Sequence, residues 1–207
     1  MLEIVIGVFI LIFSVVIHEA AHAWTAAWFG DPTAKLQGRL SLNPAVHVDP
    51  FGSVLLPLLL VLSGSPILLG YAKPVPVRSE YFTRPLRDMM WVALAGPLSN
   101  LTVAAFFGFL YKMSFAIMPH LVLGSEVAQF VFGYAITINL VLAFFNLMPI
   151  PPLDGSRILM PFLPRKGQLF LNKIEPYGFL IVIVCVYFGV LNIFLRPLLA
   201  LGYKVLL

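Results

Sequence analysis

Apolar residues run without a charge from Ile4 to Ile17, give way to His18-Glu19-Ala20-Ala21-His22, and resume through Ala23 to Phe29. Three more stretches have the same character, at about 90–111, 128–148 and 177–195. Each approaches the roughly 20 apolar residues a helix needs to cross hydrocarbon. A fifth apolar stretch, 51–69, is interrupted by Gly52, Pro57 and Ser63-Gly64-Ser65-Pro66. That string favours a broken or re-entrant segment over a continuous helix. Beyond it, Lys73-Pro74-Val75-Pro76-Val77 alternates proline with other residues and reads as an edge strand. The pattern predicts an all-α polytopic membrane protein: about four spanning helices, a re-entrant or broken segment, and a short β-strand or hairpin near the active site. Residues 1–207 read as a single domain.

Composition agrees. The chain is 60% hydrophobic and 11% charged, with mean hydropathy +0.98, against about 25% charged residues in soluble domains. The formal charge of +4 suits cytoplasmic loops of a membrane protein and gives no reason to expect a nucleic-acid partner. Ala21-His22-Ala23 imitates a signal-peptide cleavage site, but Glu3 is the only charge before His18. The basic leader of a signal peptide is missing, so the first span is expected to be retained. A lone cysteine, Cys185, leaves neither an internal disulfide nor a cysteine metal cluster.

Basic residues orient the spans. Lys73, Arg78, Arg84 and Arg87 precede the second long span, and Arg157, Arg165, Lys166 and Lys173 precede the last. Both groups read as cytoplasmic. The stretch 112–127 holds Lys112, His120 and Glu126 and reads as the opposite side. If 51–69 re-enters, all these assignments agree, with the N-terminus outside. If it spans, the basic residues at 73–87 fall outside.

H-E-x-x-H on a helix places two imidazoles one turn apart on one face, where they can hold zinc, and the glutamate between them can take a proton from an attacking water. A chance match is disfavoured inside an uncharged span, because His and Glu are costly there without partners. A catalytic zinc wants a third protein ligand. Asp154, His47, Asp49, Asp31, Glu175 and His120 are the available groups. The setting Asn146-Leu147-Met148-Pro149-Ile150-Pro151-Pro152-Leu153-Asp154-Gly155 favours Asp154, since prolines stiffen the turn that carries it. An aspartate capping a short helix at Gly155-Ser156-Arg157 explains that residue equally well. Depth supplies a check. With 51–69 re-entrant, Asp154 falls at a depth comparable to that of His18 and His22. With 51–69 spanning, it falls on the opposite face of the membrane.

Three separated motifs now stand in order: His18-Glu19-x-x-His22, then Gly96-Pro97-x-x-Asn100, then Asn146-x-x-Pro149 with Leu153-Asp154-Gly155. Together they resemble the site-2 protease family of intramembrane zinc metalloproteases over nearly the whole chain. The segments 42–44, 47–52 and 71–77 look like its compact prokaryotic branch, which has no PDZ or CBS domain. The resemblance implies one zinc ion held by His18, His22 and Asp154, with Glu19 as the catalytic acid and base. It implies hydrolysis of peptide bonds in or next to transmembrane segments, so the expected partners are a transmembrane substrate and the lipid bilayer.

Supporting residues follow from position. Asn100 shares a face with Ala93, Gly96, Ala104 and Gly108, a small-residue stripe that lets helices approach closely. It is expected to point into the bundle. Asn146 is a candidate for binding the substrate carbonyl, and Asn139, seven residues earlier, reads as helix glue. His47 is a candidate for positioning substrate, or an interfacial loop histidine. The 73–77 strand is expected to pair with an extended substrate. Two other readings use the same residues. A membrane metal-binding or transport protein would need His and Asp but not Glu19, and a catalytically silent scaffold would need none of them.

Overall fold

The computed structural model describes residues 1–49, 52, 55, 73–120 and 124–207. Its helices are α1 (Leu2–Trp28), α2 (Thr33–Leu36), α3 (Pro85–Ile117), α4 (Glu126–Asn146), α5 (Asp154–Leu159), α6 (Arg165–Ile174), α7 (Gly178–Tyr187) and α8 (Val190–Leu206). Local chemistry starts two of the long ones. Pro85 opens α3, and the Asp88 carboxylate accepts the Arg84 N–H at 2.8 Å, satisfying one of the donors a helix start leaves free. Ser125 caps α4, its hydroxyl accepting the Ala128 N–H at 3.2 Å.

α1, α3 and α4 form the heart of the bundle. α3 packs against α1, α4 and α5, and α1 also packs against α4. The interface is built from small residues: Ala20, Ala23 and Ala26 of α1, Ala93, Gly96, Ala104 and Gly108 of α3, and Ala135 and Ala143 of α4 are buried. Lipid chains are as apolar as leucine, so close backbone approach and polar contacts, rather than hydrophobic transfer, hold such helices together. The expected small-residue face of α3 is the one it buries. Larger apolar side chains turn outward, among them Phe9 and Phe13 of α1 and Phe106 and Phe109 of α3.

Among the described residues, four segments are long and apolar enough to cross a membrane: Leu2–Trp28, Pro85–Ile117, Glu126–Asn146 and Arg165–Tyr187. The first three agree with the sequence pattern. The fourth begins earlier and ends sooner than the expected 177–195. It takes in α6, a 3-10 turn at Glu175–Tyr177 and α7, and stops at Tyr187, two residues before Gly189, whose left-handed φ of +68° leads into α8. Hydropathy is blind to that stop, because a left-handed glycine adds no polarity. The apolar segment 51–69 lies outside the described residues apart from Gly52 and Leu55. Its flanks meet at one end of the bundle, where the Lys73 N–H donates to the His47 carbonyl at 2.9 Å.

No strand is present among the described residues, and 73–78 has no regular secondary structure. Pro74 and Pro76 bring no N–H. The donors of Lys73, Val75 and Arg78 go to the His47 carbonyl and to the carboxylates of Glu19 and Asp31. The expected β-strand or hairpin is therefore not seen here: these donors serve loop and helix groups instead of a ladder.

Candidate metal centre

His18 and His22 lie one turn apart on α1 with their rings edge to face, centroids 4.6 Å apart. Both are buried. Each ring has its Nδ1 engaged on the side away from Asp154. His22 Nδ1–H donates to the Val92 carbonyl of α3 at 2.7 Å, and His18 Nδ1 lies 2.6 Å from Asn100 Oδ1. Each Nε2 is thus left for another partner. Pro97, in the same stretch of α3, brings no N–H, so the helix is one internal hydrogen bond short beside the site.

The third group is Asp154. Asn146 ends α4, the chain turns through the proline-rich segment, and Asp154 opens α5. Its carboxylate faces the two imidazoles: Asp154 Oδ2 lies 3.1 Å from His18 Nε2 and 3.4 Å from His22 Nε2. Gly155 makes this turn tight enough, because a Cβ there would meet the Leu147 carbonyl oxygen at 2.2 Å. Burial alone would push the Asp154 carboxyl up, but the neighbouring imidazoles, His22 foremost, outweigh it and hold the group well below the usual carboxylate range.

These three residues fit zinc. One ligand atom from each lies within 4.8 Å of the others. Two ligands at ordinary zinc distances in a tetrahedron stand ~3.4 Å apart, close to the two nitrogen–oxygen separations. Gly96 of α3 keeps the space clear: a Cβ there would sit 2.4 Å from His22 Nε2 and 2.6 Å from His18 Nε2.

Glu19, half-buried beside the pair, accepts the Val75 N–H at 3.1 Å through Oε2. Asn100 stands behind His18, bonded to its ring. Asn146 turns its amide back on its own helix, donating to the Leu142 carbonyl at 2.9 Å. His47 is buried in the loop after α2, its Nε2–H donating to the Ser41 carbonyl at 2.8 Å. The other groups considered as ligands are engaged or placed elsewhere. Asp31 accepts the backbone N–H groups of Thr33 and Arg78, Asp49 accepts that of Gly52, Glu175 pairs with Arg157 at 3.5 Å, and His120 is exposed. Two contacts at the site were not expected from the sequence. Ser14 precedes His18 by four residues, a spacing that puts it on the same stripe of α1. Val75 meets Glu19 through a backbone N–H, which residue type cannot announce.

The model of peptidase family M50 matches residues 6–189. A Bacillus subtilis protein named as a candidate zinc metalloprotease, YwhC, is 43% identical over 176 residues, covering 84% of this chain and 76% of that relative. A protein of Mycolicibacterium smegmatis with the same kind of name, Rip2, is 36% identical over 192 residues, covering 90% of this chain and 70% of its own length. Rip2 of Mycobacterium tuberculosis is 32% identical over 191 residues, with the same two coverages. No solved structure matches the chain.

Proposed function

The chain belongs to peptidase family M50, the site-2 protease family of zinc metalloproteases, and from that premise we propose that it cuts peptide bonds in or next to the transmembrane segments of other membrane proteins. One observation carries this reading. His18, His22 and Glu19 sit on a helix long and apolar enough to cross a membrane, and Asp154 from α5 completes a ligand-competent cluster with the two histidines.

His18, His22 and Asp154 would hold the ion. Bound there, zinc supplies Lewis-acid polarisation of the scissile carbonyl and a more acidic water. Glu19 takes the proton of the attacking water and returns it to the leaving amine. The Val75 N–H holds one oxygen of the Glu19 carboxylate and leaves the other for that work. A substrate helix must unwind locally, because an α-helix engages its own carbonyls. The loop 73–78 gives such an unwound stretch an extended neighbour, and Asn146 is the amide assigned to the substrate carbonyl. The basic residues at 73–87 and 157–173 set the orientation, with the N-terminus outside and the site open to the cytoplasm.

The experiment compares membrane-fragment proteomes of cells carrying the wild-type chain or Glu19→Gln, with zinc measured on both purified proteins. Fragments cut within spans that vanish in Glu19→Gln, with zinc retained, support the reading. Equal cleavage by both proteins overturns it. A metal transporter would tolerate the same substitution in a zinc-uptake assay, and a silent scaffold would yield no fragments from either protein.

A further inference from the structure

Behind His18, on the side away from Asp154, three polar side chains fill the junction of α1, α3 and α4. Ser14, Asn100 and Asn139 are 2%, 0% and 0% exposed. Asn100 Nδ2 donates to Asn139 Oδ1 at 2.8 Å and to the Ser14 carbonyl at 3.1 Å. Asn139 Nδ2 donates to Ser14 Oγ at 2.9 Å and to the Ala135 carbonyl at 2.9 Å. Ser14 Oγ–H donates to the Ile10 carbonyl at 2.8 Å.

The direction of every bond in this chain is forced. Backbone carbonyls only accept. The Ser14 hydroxyl spends its one proton on the Ile10 carbonyl, so toward Asn139 it must accept. The side of the Asn139 amide facing Ser14 Oγ and the Ala135 carbonyl must then be its NH2, and its oxygen must face Asn100. Asn100 meets that oxygen and the Ser14 carbonyl, so its NH2 points to both and its oxygen turns to His18. Toward His18 Nδ1, Asn100 is therefore an acceptor and nothing else. Reversing the amide would set its oxygen against two acceptors and its NH2 against the ring.

We infer that Asn139 and Ser14 are positioning residues of the metal centre: acting through Asn100, they keep the proton of His18 on Nδ1 and its Nε2 lone pair aimed at the ligand cluster. His22 gets the same service directly from the Val92 carbonyl. A side-chain amide needs the extra residues because, unlike a carbonyl, it can turn over and present a donor. The side-chain donors and acceptors of Ser14, Asn100 and Asn139 all find partners, as a buried polar network in an apolar bundle requires. Partners of this kind orient a histidine ligand and raise its basicity, and losing one costs about 10–100-fold in metal affinity. The inference rests on zinc being held at His18, and not on which substrate is cut.

The test measures the zinc dissociation constant of the full chain in detergent by chelator competition, with circular dichroism confirming the fold. Asn100→Leu is expected to bind zinc about 10–100-fold more weakly, and Asn139→Leu, one bond further out, about threefold to tenfold more weakly. Asn139→Asp, which in its neutral form keeps an oxygen toward Asn100, is expected to bind as the wild type does. The double variant Asn100→Leu/Asn139→Leu is expected to match Asn100→Leu within about twofold, since Asn139 acts only through Asn100. Leu140→Ala disturbs the packing of the same helix without touching the amides and is expected to leave zinc affinity unchanged. Should Asn139→Leu not fold, Asn139→Ala carries the same expectations. Wild-type affinity in the Asn139 variant, additive losses in the double variant, or an equal loss in Leu140→Ala each overturns the inference. Because no substrate enters the measurement, such a failure leaves the proteolytic reading standing, whereas normal zinc affinity with no cleavage sinks only the latter.

Discussion

Glu19→Gln exchanges a carboxylate for an amide of the same shape, so it tests proton transfer with little change in packing. Cleavage is expected to fall by about 10²–10⁴-fold, with zinc content unchanged by elemental analysis. Gly96→Ala tests crowding in the same small space. Its Cβ would come within 2.6 Å of both ligand nitrogens, so zinc binding is expected to weaken by at least ~10-fold, read by chelator competition. These residues differ in how far the sequence announced them. His18, Glu19 and His22 stand out because a spacing of four on a helix defines a face. Asp154 needed the depth argument and the resemblance, since an aspartate before Gly155 serves equally well as a helix cap. Asn100 was placed inside the bundle by its small neighbours, but its bond to His18 depends on how α3 meets α1.

At the scale of elements, the loop 73–78 is the place to press. Val75→Pro deletes one N–H from a stretch already flanked by prolines, with small change in backbone preference. The Glu19 carboxylate loses its anchor, and cleavage is expected to drop about threefold to tenfold while zinc is retained. Loss of zinc in this variant would mean that the loop supports the ligands rather than the base. Gly189 offers a second handle. Its left-handed φ of +68° ends α7, and an L-residue there costs about 1–2 kcal/mol. Gly189→Ala is expected to lower the thermal midpoint in detergent without altering zinc content. Alternating prolines suggested a strand, yet a strand exists only if a second one supplies its ladder, and pattern along one segment is silent about partners.

The whole molecule makes its site from parts far apart in the chain, so metal removal and topology are its natural tests. Small-residue packing and the Ser14–Asn100–Asn139 network join α1, α3 and α4. Stripping zinc with a chelator is therefore expected to abolish cleavage while leaving the circular dichroism spectrum of the helices intact, and added zinc is expected to restore activity. Sidedness is read by labelling. In a Cys185→Ala background, Glu80→Cys is expected to react with a membrane-impermeant maleimide only from the cytoplasmic side, and His120→Cys only from outside. The reverse pattern would invert the proposed orientation.

The sequence alone determined the membrane class, the first three spans and the helix face carrying two histidines and a glutamate. These follow from composition and from helical periodicity, which are local properties of the chain. It also favoured a candidate third ligand, Asp154, beyond the third span. The tertiary structure decided what remained: that Asp154 Oδ2 faces both imidazoles, that α7 ends at a left-handed glycine, that residues 73–78 anchor Glu19 instead of forming a strand, and that Asn100 stands behind His18. Each depends on two segments distant in sequence meeting at a particular angle and register. Helix packing fixes that meeting, and no single segment encodes it.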